Sequence, residues 1–274
     1  MSKWSSTKLI DTTGNSQGIL IDQGLLITGG YLQSIAEGYI PNHYVWRKIG
    51  YTNASSATET TLWNPGTQYV FPTGNISVSV ASTSASDTSA GTGARTIHMD
   101  YLDSNYEEKT HTFTLNGVTN VNGPTDFYRV NTFHVETAGS TGKSVGIISL
   151  YLTGTPATLY SQIPANATRA RNSVYTVPAG KTVYIHDVMF TAGYKTAGKT
   201  VRITLHTSIS PDNVVSTSGT IFWPRWESII VDGMCNKVDG APIKCPEKTD
   251  LKVSVVGETL AQCTSSLDGW IETN

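Results

Sequence analysis

A histidine and several carboxylates lie close together in the middle of the chain, and residues of these types can support catalysis. His98 and Asp100 alternate along a predicted strand, and Asp103, Glu107 and Glu108 follow in a predicted turn. A histidine with two carboxylates can perform acid–base hydrolysis of a glycan. The period of a strand, however, places His98 and Asp100 on the solvent face of a half-exposed sheet without any chemistry. We therefore predict no catalytic residues and no enzymatic activity.

The other reactive residues form no recognised catalytic or metal-binding pattern. The sequence contains no Gly-x-Ser-x-Gly elbow, phosphate-binding loop, dinucleotide fingerprint or His-Glu-x-x-His. Its three cysteines, Cys235, Cys245 and Cys263, are ten and eighteen positions apart, which does not match paired zinc knuckles. We expect small buried thiols, with a Cys235–Cys245 disulfide as the alternative. Neither a metal nor a cofactor is predicted.

The composition favours a folded chain that does not bind nucleic acid. Of its 274 residues, 38% are hydrophobic and 15% are charged, against a norm of about 25% charged. Disordered chains combine few apolar residues with high net charge, so this chain is expected to fold. A net charge of -2 without a Lys/Arg cluster argues against binding DNA through its phosphates.

No segment of the sequence resembles a membrane span or a signal peptide. The longest apolar runs, between Gly18 and Ile27, are interrupted by Asp22 and Gln23, whereas a span needs about 20 apolar residues. Residues 1–15 lack the apolar core of a signal peptide. We therefore expect synthesis in the cytoplasm and no membrane partner.

Period-two alternation between polar loops predicts an all-β protein. In the first half, NISVSV, RTIHMDYLD and THTFTL alternate apolar and polar residues, and Asn116-Gly117 predicts a tight hairpin turn. In the second half, KTVYIHDVMF, KTVRITLHTS, TIFWPRWESIIVDG and DLKVSVVGE supply further strands. The predicted fold is two antiparallel β-sandwich or jelly-roll-like domains, preceded by an N-terminal arm with a short helix.

The predicted division of the chain follows breaks in this alternation. Residues 1–45 form the arm and lead-in, 46–155 the first sandwich, 156–169 a linker with Pro156 and Pro164, and 170–274 the second sandwich. In the arm, GYLQSIAEGYI predicts two helical turns ending near Gly38. Such a helix must dock, either on a neighbouring subunit or on its own domain.

Two sets of apolar residues are candidates for contact with another subunit or a partner protein. The arm contributes apolar residues outside any sandwich pattern, namely Leu20, Ile21, Leu25, Leu26 and Ile27. The second set is Trp223 and Trp226, which flank Pro224 and Arg225. Proline cannot donate into a β-ladder, so Pro224 predicts an edge strand or a bulge there. Core packing is the alternative role for the two tryptophans.

The run SASDTSAGTGARTIHMDYLDSNYEEKTHTFTLNGVTNV, followed by FYRVNTFHVETAGS, resembles an uncharacterised family of tailed-bacteriophage virion proteins. In that family a glycine-containing loop precedes a strand, an acidic turn and an Asn-Gly hairpin. The matching residues are Asp87, Gly91, Gly93, Ala94, Arg95, Leu102, Asp103, Asn105, Tyr106, Leu115, Asn116 and Gly117. The resemblance covers about residues 38–150 well and the rest loosely, and it carries over no catalytic residue.

The resemblance implies a structural role in the virion. On that basis we expect a capsid decoration or cement protein on the capsid surface, bound to the major capsid protein and assembled with itself, most plausibly as a trimer. The alternative is a tail or fibre component, an adhesin that recognises host-surface glycans. The sequence does not distinguish a capsid location from a tail location.

Overall fold

The computed structural model describes residues 7–10, 16–21, 24–26, 30–53, 57–194, 199–210, 214–216, 221–231, 233–237, 241–257 and 261–274. These residues form antiparallel β-sheets, with one short helix, α1 (Tyr31–Ala36). The helix packs Ile35 inward, and Tyr31 meets the ring of Trp270 edge-on at a centroid distance of 5.1 Å. The predicted helix is therefore present, and it docks on its own chain.

The N-terminal segment forms a small sheet of its own. Its three strands, in the order β1-β2-β3, are β1 (Thr7–Ile10), β2 (Ser16–Ile21) and β3 (Gly24–Leu26).

Four further antiparallel sheets make up the body, and each is named here by one of its inner strands. The β7 sheet has the order β10-β7-β8, with β7 (Ala94–Leu102), β8 (Glu108–Thr114) and β10 (Arg129–Ala138). The β6 sheet has the order β12-β11-β6-β9, with β6 (Val78–Ser82), β9 (Val121–Asn122), β11 (Ile148–Leu152) and β12 (Thr155–Ile163).

The two remaining sheets each combine early and late segments of the chain. The β15 sheet has the order β13-β19-β15-β16, with β5 paired to β19; its strands are β5 (Thr60–Thr61), β13 (Tyr175–Thr176), β15 (Val201–Thr207), β16 (Trp223–Ile230) and β19 (Asp250–Gly257). The β14 sheet has the order β17-β14-β20-β4, with β18 paired to β14; its strands are β4 (His43–Thr52), β14 (Lys181–Tyr194), β17 (Gly233–Lys237), β18 (Ile243–Cys245) and β20 (Ala261–Thr273).

The expectation of two sandwich or jelly-roll-like domains was wrong. The four small sheets of the body are arranged like the blades of a four-bladed propeller, in a ring that does not close. Alternation and turn residues set where a strand begins and ends, but they do not determine which strands pair. Here β4 pairs with β20 and β5 pairs with β19, so early segments complete late sheets. The expected linker contains a strand, β12, although the predicted domain limits themselves stay a prediction.

The Asn116-Gly117 turn forms, but it does not close a hairpin between adjacent strands. Gly117 has a φ of 62°, and the N–H of Thr119 donates to the Asn116 oxygen at 3.1 Å. The strands on either side, β8 and β9, belong to different sheets. The turn therefore moves the chain from the β7 sheet to the β6 sheet.

Two hydrophobic clusters hold the sheets in pairs. The first contains residues of the β14 and β15 sheets, such as Ile185 and Val253, and the second contains residues of the β7 and β6 sheets, such as Met99 and Val80. All four of these side chains are fully buried. Burial of each such side chain stabilises the fold by about 1.5–3 kcal/mol before ordering costs.

A buried ion pair joins the two clusters. Arg129 begins β10 and Asp250 begins β19, and they are 1% and 0% exposed. The guanidinium donates to both carboxylate oxygens, Nε to Oδ1 and Nη2 to Oδ2, each at 2.9 Å. Nη1 donates to the carbonyls of Pro72 and Tyr128, and the Thr176 hydroxyl donates to Asp250 Oδ1 at 2.6 Å. Burial lowers the pKa of Arg129, but the bonds and charge of Asp250 raise it above its usual value.

The neighbouring contacts extend this pair into a polar seam, defined here as Arg129, Asn131, Thr176 and Asp250. The Asn131 amide nitrogen donates to the Thr176 carbonyl at 2.8 Å, and the Thr176 N–H donates back to Asn131 Oδ1 at 2.9 Å. The seam thus fixes β10 against β13 and β19 by hydrogen bonds with matched partners, which is the condition for burying charge without a large penalty.

We expect the Arg129→Leu substitution to lower the free energy of unfolding by about 3–5 kcal/mol, because it leaves the Asp250 carboxylate buried and unpaired. Urea denaturation measures this change. The control is Arg202→Leu, because Arg202 forms an exposed pair with Glu227 at 3.7 Å. That variant should change stability by less than about 1 kcal/mol. Equal losses in the two variants would contradict the role given to the seam.

Candidate functional site

His98 and Asp100 lie side by side on one face of β7, as the strand period predicts. The Nε2 atom of His98 is 2.8 Å from Asp100 Oδ1. His134 lies opposite His98 on β10, with the two ring centroids 5.0 Å apart. Burial lowers the pKa of His134, and the charge of His98 lowers it further. This face therefore carries two adjacent imidazoles, of which one is biased toward its neutral form.

Asp103, in the turn after β7, stabilises that turn through its carboxylate. Asp103 Oδ1 accepts the N–H groups of Asn105 and Glu107 at 2.9 and 3.1 Å, and Lys109 Nζ lies 3.0 Å from Oδ2. Burial raises the pKa of Asp103, but the lysine and the two N–H groups outweigh burial and lower it overall. Asp103 is therefore a structural residue of the turn.

Asp87, from the run that resembles virion proteins, is a buried anchor for the end of β6, the start of β7 and the loop at Val145 and Gly146. Its Oδ1 accepts the N–H groups of Ala94 and Val145 at 2.9 and 2.8 Å. Its Oδ2 accepts the Ser82 hydroxyl at 2.6 Å and the Gly146 N–H at 2.8 Å. The side chain has no exposed surface, and charge-assisted bonds of this kind are among the stronger ones in proteins.

Gly93, in the same run, has no space for a side chain. A Cβ atom at Gly93 would lie 2.0 Å from Asp87 Oδ1, so a larger residue would displace the carboxylate. The next residues are also structural, since Ala94 is fully buried and Arg95 Nε donates to the Gly91 carbonyl at 3.0 Å. The matching residues of this loop thus maintain the fold and do not converge on a reaction centre.

A cationic groove runs along β4. We define the β4 groove as two adjoining cavities of about 270 and 550 Å³. One wall is residues 45–49 of β4, and the other wall of the larger cavity is residues 164–172. The smaller cavity ends against residues 100–102 of β7 and residues 131–132 of β10. The groove therefore lies beside the seam, where the β14 sheet approaches the β7 sheet.

Positive charge dominates the larger cavity of this groove. Its charged lining residues are all cations, Arg47, Lys48, Arg169 and Arg171. Arg47 pairs with Asp268 on β20, and the Arg171 guanidinium lies 4.0 Å from the centroid of the Tyr51 ring. The carboxylates of Asp100 and Glu108 line only the smaller cavity. Such a lining attracts an anionic ligand.

Lys48 lines both cavities of the groove. Its ammonium group donates to the Asn131 carbonyl, which links the groove to the seam. Burial lowers the pKa of Lys48 to about 7, Arg169 lowers it as well, and Asp100 opposes them. A bound anion beside Lys48 would favour its protonated form.

Trp223 and Trp226 lie on β16, which is an edge strand, as Pro224 predicts. The pairing of β15 with β16 shifts register between Leu205 and His206, opposite Trp226 and Pro224, so a bulge lies there as well. Trp226 packs on Phe190 with the ring centroids 4.7 Å apart. The two tryptophans are half-buried, while Ile229 of the same strand is 68% exposed.

The arm candidates fall in the N-terminal sheet. Leu20 and Ile21 belong to β2, and Leu25 and Leu26 belong to β3, with Leu20 paired to Leu25 across the two strands. Ile27 lies outside the described residues. Among the described residues, Leu20, Ile21, Leu25 and Leu26 thus lie in a small sheet that pairs with no strand of the body, and the role of all five candidates in contact with a capsid stays a prediction.

The three cysteines are free thiols. Cys245 and Cys263 are buried, and burial raises the pKa of each to about 12. Cys235 is half-buried. The alternative of a Cys235–Cys245 disulfide is not found.

Among the described residues, no group of three or more His, Cys, Asp or Glu side chains is placed to hold a metal ion. The one helix that these residues form, α1, is too short to cross a membrane.

Sequence reasoning missed the β4 groove because its residues are far apart in the chain. Arg47 and Lys48 were assigned to the start of one domain, and Arg169 and Arg171 to a linker and the next domain. The one local signal was the alternation of arginine in TRAR, which gives two cations on one side of an extended segment.

Comparison with known proteins gives weak matches. No protein-family model and no curated protein matches the chain. The structure of the Gt strain of infectious bursal disease virus is similar with a TM-score of 0.21 and 12% identity, over 88% of this chain and 77% of the other. The Gx strain gives 0.23 and 13%, over 89% and 78%. The VP2 subviral particle of that virus gives 0.18 and 11%, over 88% and 76%. TM-scores this low do not establish a shared fold or role.

The position of Lys48 predicts a pH-dependent contribution to stability. An unfolded lysine titrates near about 10.4, so between the folded and unfolded pKa values the unfolded chain binds the extra proton. Stability contributed by this residue should therefore rise as the pH increases through about 7. Between about pH 6 and about pH 9, the free energy of unfolding of the wild type should therefore rise relative to that of Lys48→Met. Urea denaturation at each pH measures it, and a constant difference would contradict the burial of the ammonium group.

Proposed function

We propose that this chain is a non-enzymatic structural protein of a virus particle. The observation that carries the proposal is the resemblance of residues 84–121, and of the segment FYRVNTFHVETAGS after them, to tailed-bacteriophage virion proteins. The support from the structure is that Asp87, Gly93 and Asp103 in this run each maintain a loop or a turn. Because these residues stabilise the fold, the resemblance that they carry supports a shared architecture and does not depend on a shared enzymatic reaction.

In its more specific form the proposal is a capsid decoration or cement protein, which binds the lattice of the major capsid protein and stabilises the head. A protein with this role needs surfaces for several simultaneous contacts, because weak contacts add through effective concentration. The candidates for such surfaces are the N-terminal segment, with its apolar residues from Leu20 to Ile27, and the exposed edge at β16. Ile229, Val231 and Met234 near that edge are 68%, 54% and 71% exposed. We further propose a homotrimer on the capsid surface.

The copy number of the protein per particle tests this function. Quantitative mass spectrometry of purified particles should find the chain at a stoichiometry comparable to that of the major capsid protein. A small fraction of that value would instead favour a tail or fibre component that recognises the host surface. Absence from washed particles would overturn the virion role altogether.

Deletion of residues 1–28 is expected to abolish attachment to particles while the body stays folded. The reason is that, among the described residues, β1, β2 and β3 pair only with one another, while the body has its own sheets and two hydrophobic clusters. Co-sedimentation with particles that lack the protein measures attachment, and thermal unfolding measures the fold. The comparison variant is Ile229→Glu at the β16 edge, which should weaken attachment less than the deletion does. If instead Ile229→Glu abolishes attachment and the deletion does not, the anchor is the β16 edge.

A further inference from the structure

The groove contains an unpaired edge of a β-sheet. In the described part of the chain, β4 is the last strand of the β14 sheet and pairs with one strand, β20. The N–H of Thr273 donates to the Asn42 carbonyl, so the hydrogen-bonded pairs continue at Tyr44 and at every second residue after it. The N–H and C=O groups of Val45, Arg47 and Ile49 therefore point away from β20. Among the described residues, no strand pairs with this side of β4.

The free edge and the groove coincide. Five consecutive residues of β4, from Val45 to Ile49, line the two cavities. An edge strand with unpaired backbone groups is a template for another extended chain. In this mode of recognition, main-chain hydrogen bonds supply affinity and side-chain contacts supply specificity.

We propose that the β4 groove binds an extended acidic segment of a partner protein, which adds to the β14 sheet as a strand beside β4. Charge complementarity identifies the occupant, since Arg47, Lys48, Arg169 and Arg171 are the charged residues of the larger cavity. This binding site is independent of the virion role proposed above.

The alternation of β4 also sets the pattern of the bound segment. Val45, Arg47 and Ile49 present their side chains on the exposed face, and Val45 and Ile49 are 56% and 45% exposed. Cross-strand pairs of opposite charge and of apolar side chains stabilise adjacent strands. The segment therefore carries an acidic residue opposite Arg47 and apolar residues two positions to either side of it. Its other face presents acidic residues to Lys48.

Other occupants fit this site less well. The first 28 residues of the chain contain Lys3, Lys8, Asp11 and Asp22, so they are neutral and supply no net complement to the groove. No aromatic residue lines the larger cavity, and the aromatic residues of the smaller one, Trp46, Tyr101 and Tyr175, are buried. Single-stranded nucleic acids bind largely by stacking on aromatic side chains, so this cavity lacks what they require.

The test uses the full chain and an acetylated peptide of about ten residues, the length of an ordinary strand. The peptide has the central pattern Val-Glu-Glu-Glu-Val and threonine flanks. A second peptide has the same sequence with N-methyl groups at alternate residues, which keeps the charge but removes the N–H groups needed for pairing. Isothermal titration calorimetry measures both affinities, and an acidic polysaccharide of matched charge is the third probe.

The unmodified peptide is expected to bind, and N-methylation is expected to weaken it by about tenfold or more through lost hydrogen bonds. Arg47→Gln should weaken binding to a similar degree. The matched control is Lys244→Gln on β18, across the same sheet, which should leave binding unchanged. Circular dichroism confirms that each variant is folded.

Three outcomes would overturn the proposal. If the folded wild type does not bind the peptide, the β4 groove is not a binding site for an extended acidic segment. Equal binding of the two peptides, or tighter binding of the polysaccharide, shows a charged surface that does not pair with a strand. Equal losses in Arg47→Gln and Lys244→Gln place the peptide outside the groove.

Discussion

The buried pair of Arg129 and Asp250 is the interaction on which the rest of the structure depends. Each residue begins a strand, and the two strands contribute to different hydrophobic clusters. A buried charge is tolerated only with a complete set of partners, since removal of one partner costs far more than the pair contributes. The carbonyl of Pro72, the hydroxyl of Thr176 and the ring of Tyr128 complete that set. The apolar contacts stabilise each cluster, and the Arg129–Asp250 pair fixes the orientation of the two clusters relative to each other.

The geometry of the β4 groove depends on the place where the seam joins the two hydrophobic clusters. Asn131 bonds to Thr176 within the seam, and its carbonyl accepts the ammonium group of Lys48 from the groove. The cations of the groove come from β4, where Lys48 bonds to Asn131, and from residues 169–171, where Arg169 forms a β-bridge with His134 of β10. The low pKa of Lys48 is a consequence, because the same burial that orders the junction removes water from its ammonium group.

Local features of the fold were predictable, whereas long-range pairing was not. Alternation located β6 and β7, glycine located the turn at Gly117, and proline located the bulge at Pro224, because each acts within a few residues. The pairing of β4 with β20 depends on which apolar faces meet in three dimensions. Nothing in the sequence around Arg129 or Asp250 marks them as partners across 121 positions. The β4 groove was not predictable for the same reason, because its cations come from positions far apart in the sequence.

The central claim is that the seam makes the two clusters one cooperative unit. Native-state hydrogen exchange, followed at the amides of Met99 on β7 and Val253 on β19 with increasing denaturant, tests it most directly. Both amides should converge on one opening free energy, equal to that of global unfolding. In Arg129→Leu the two amides should separate. Separate opening free energies in the wild-type protein would contradict the claim, because the two clusters would then unfold independently of the pair.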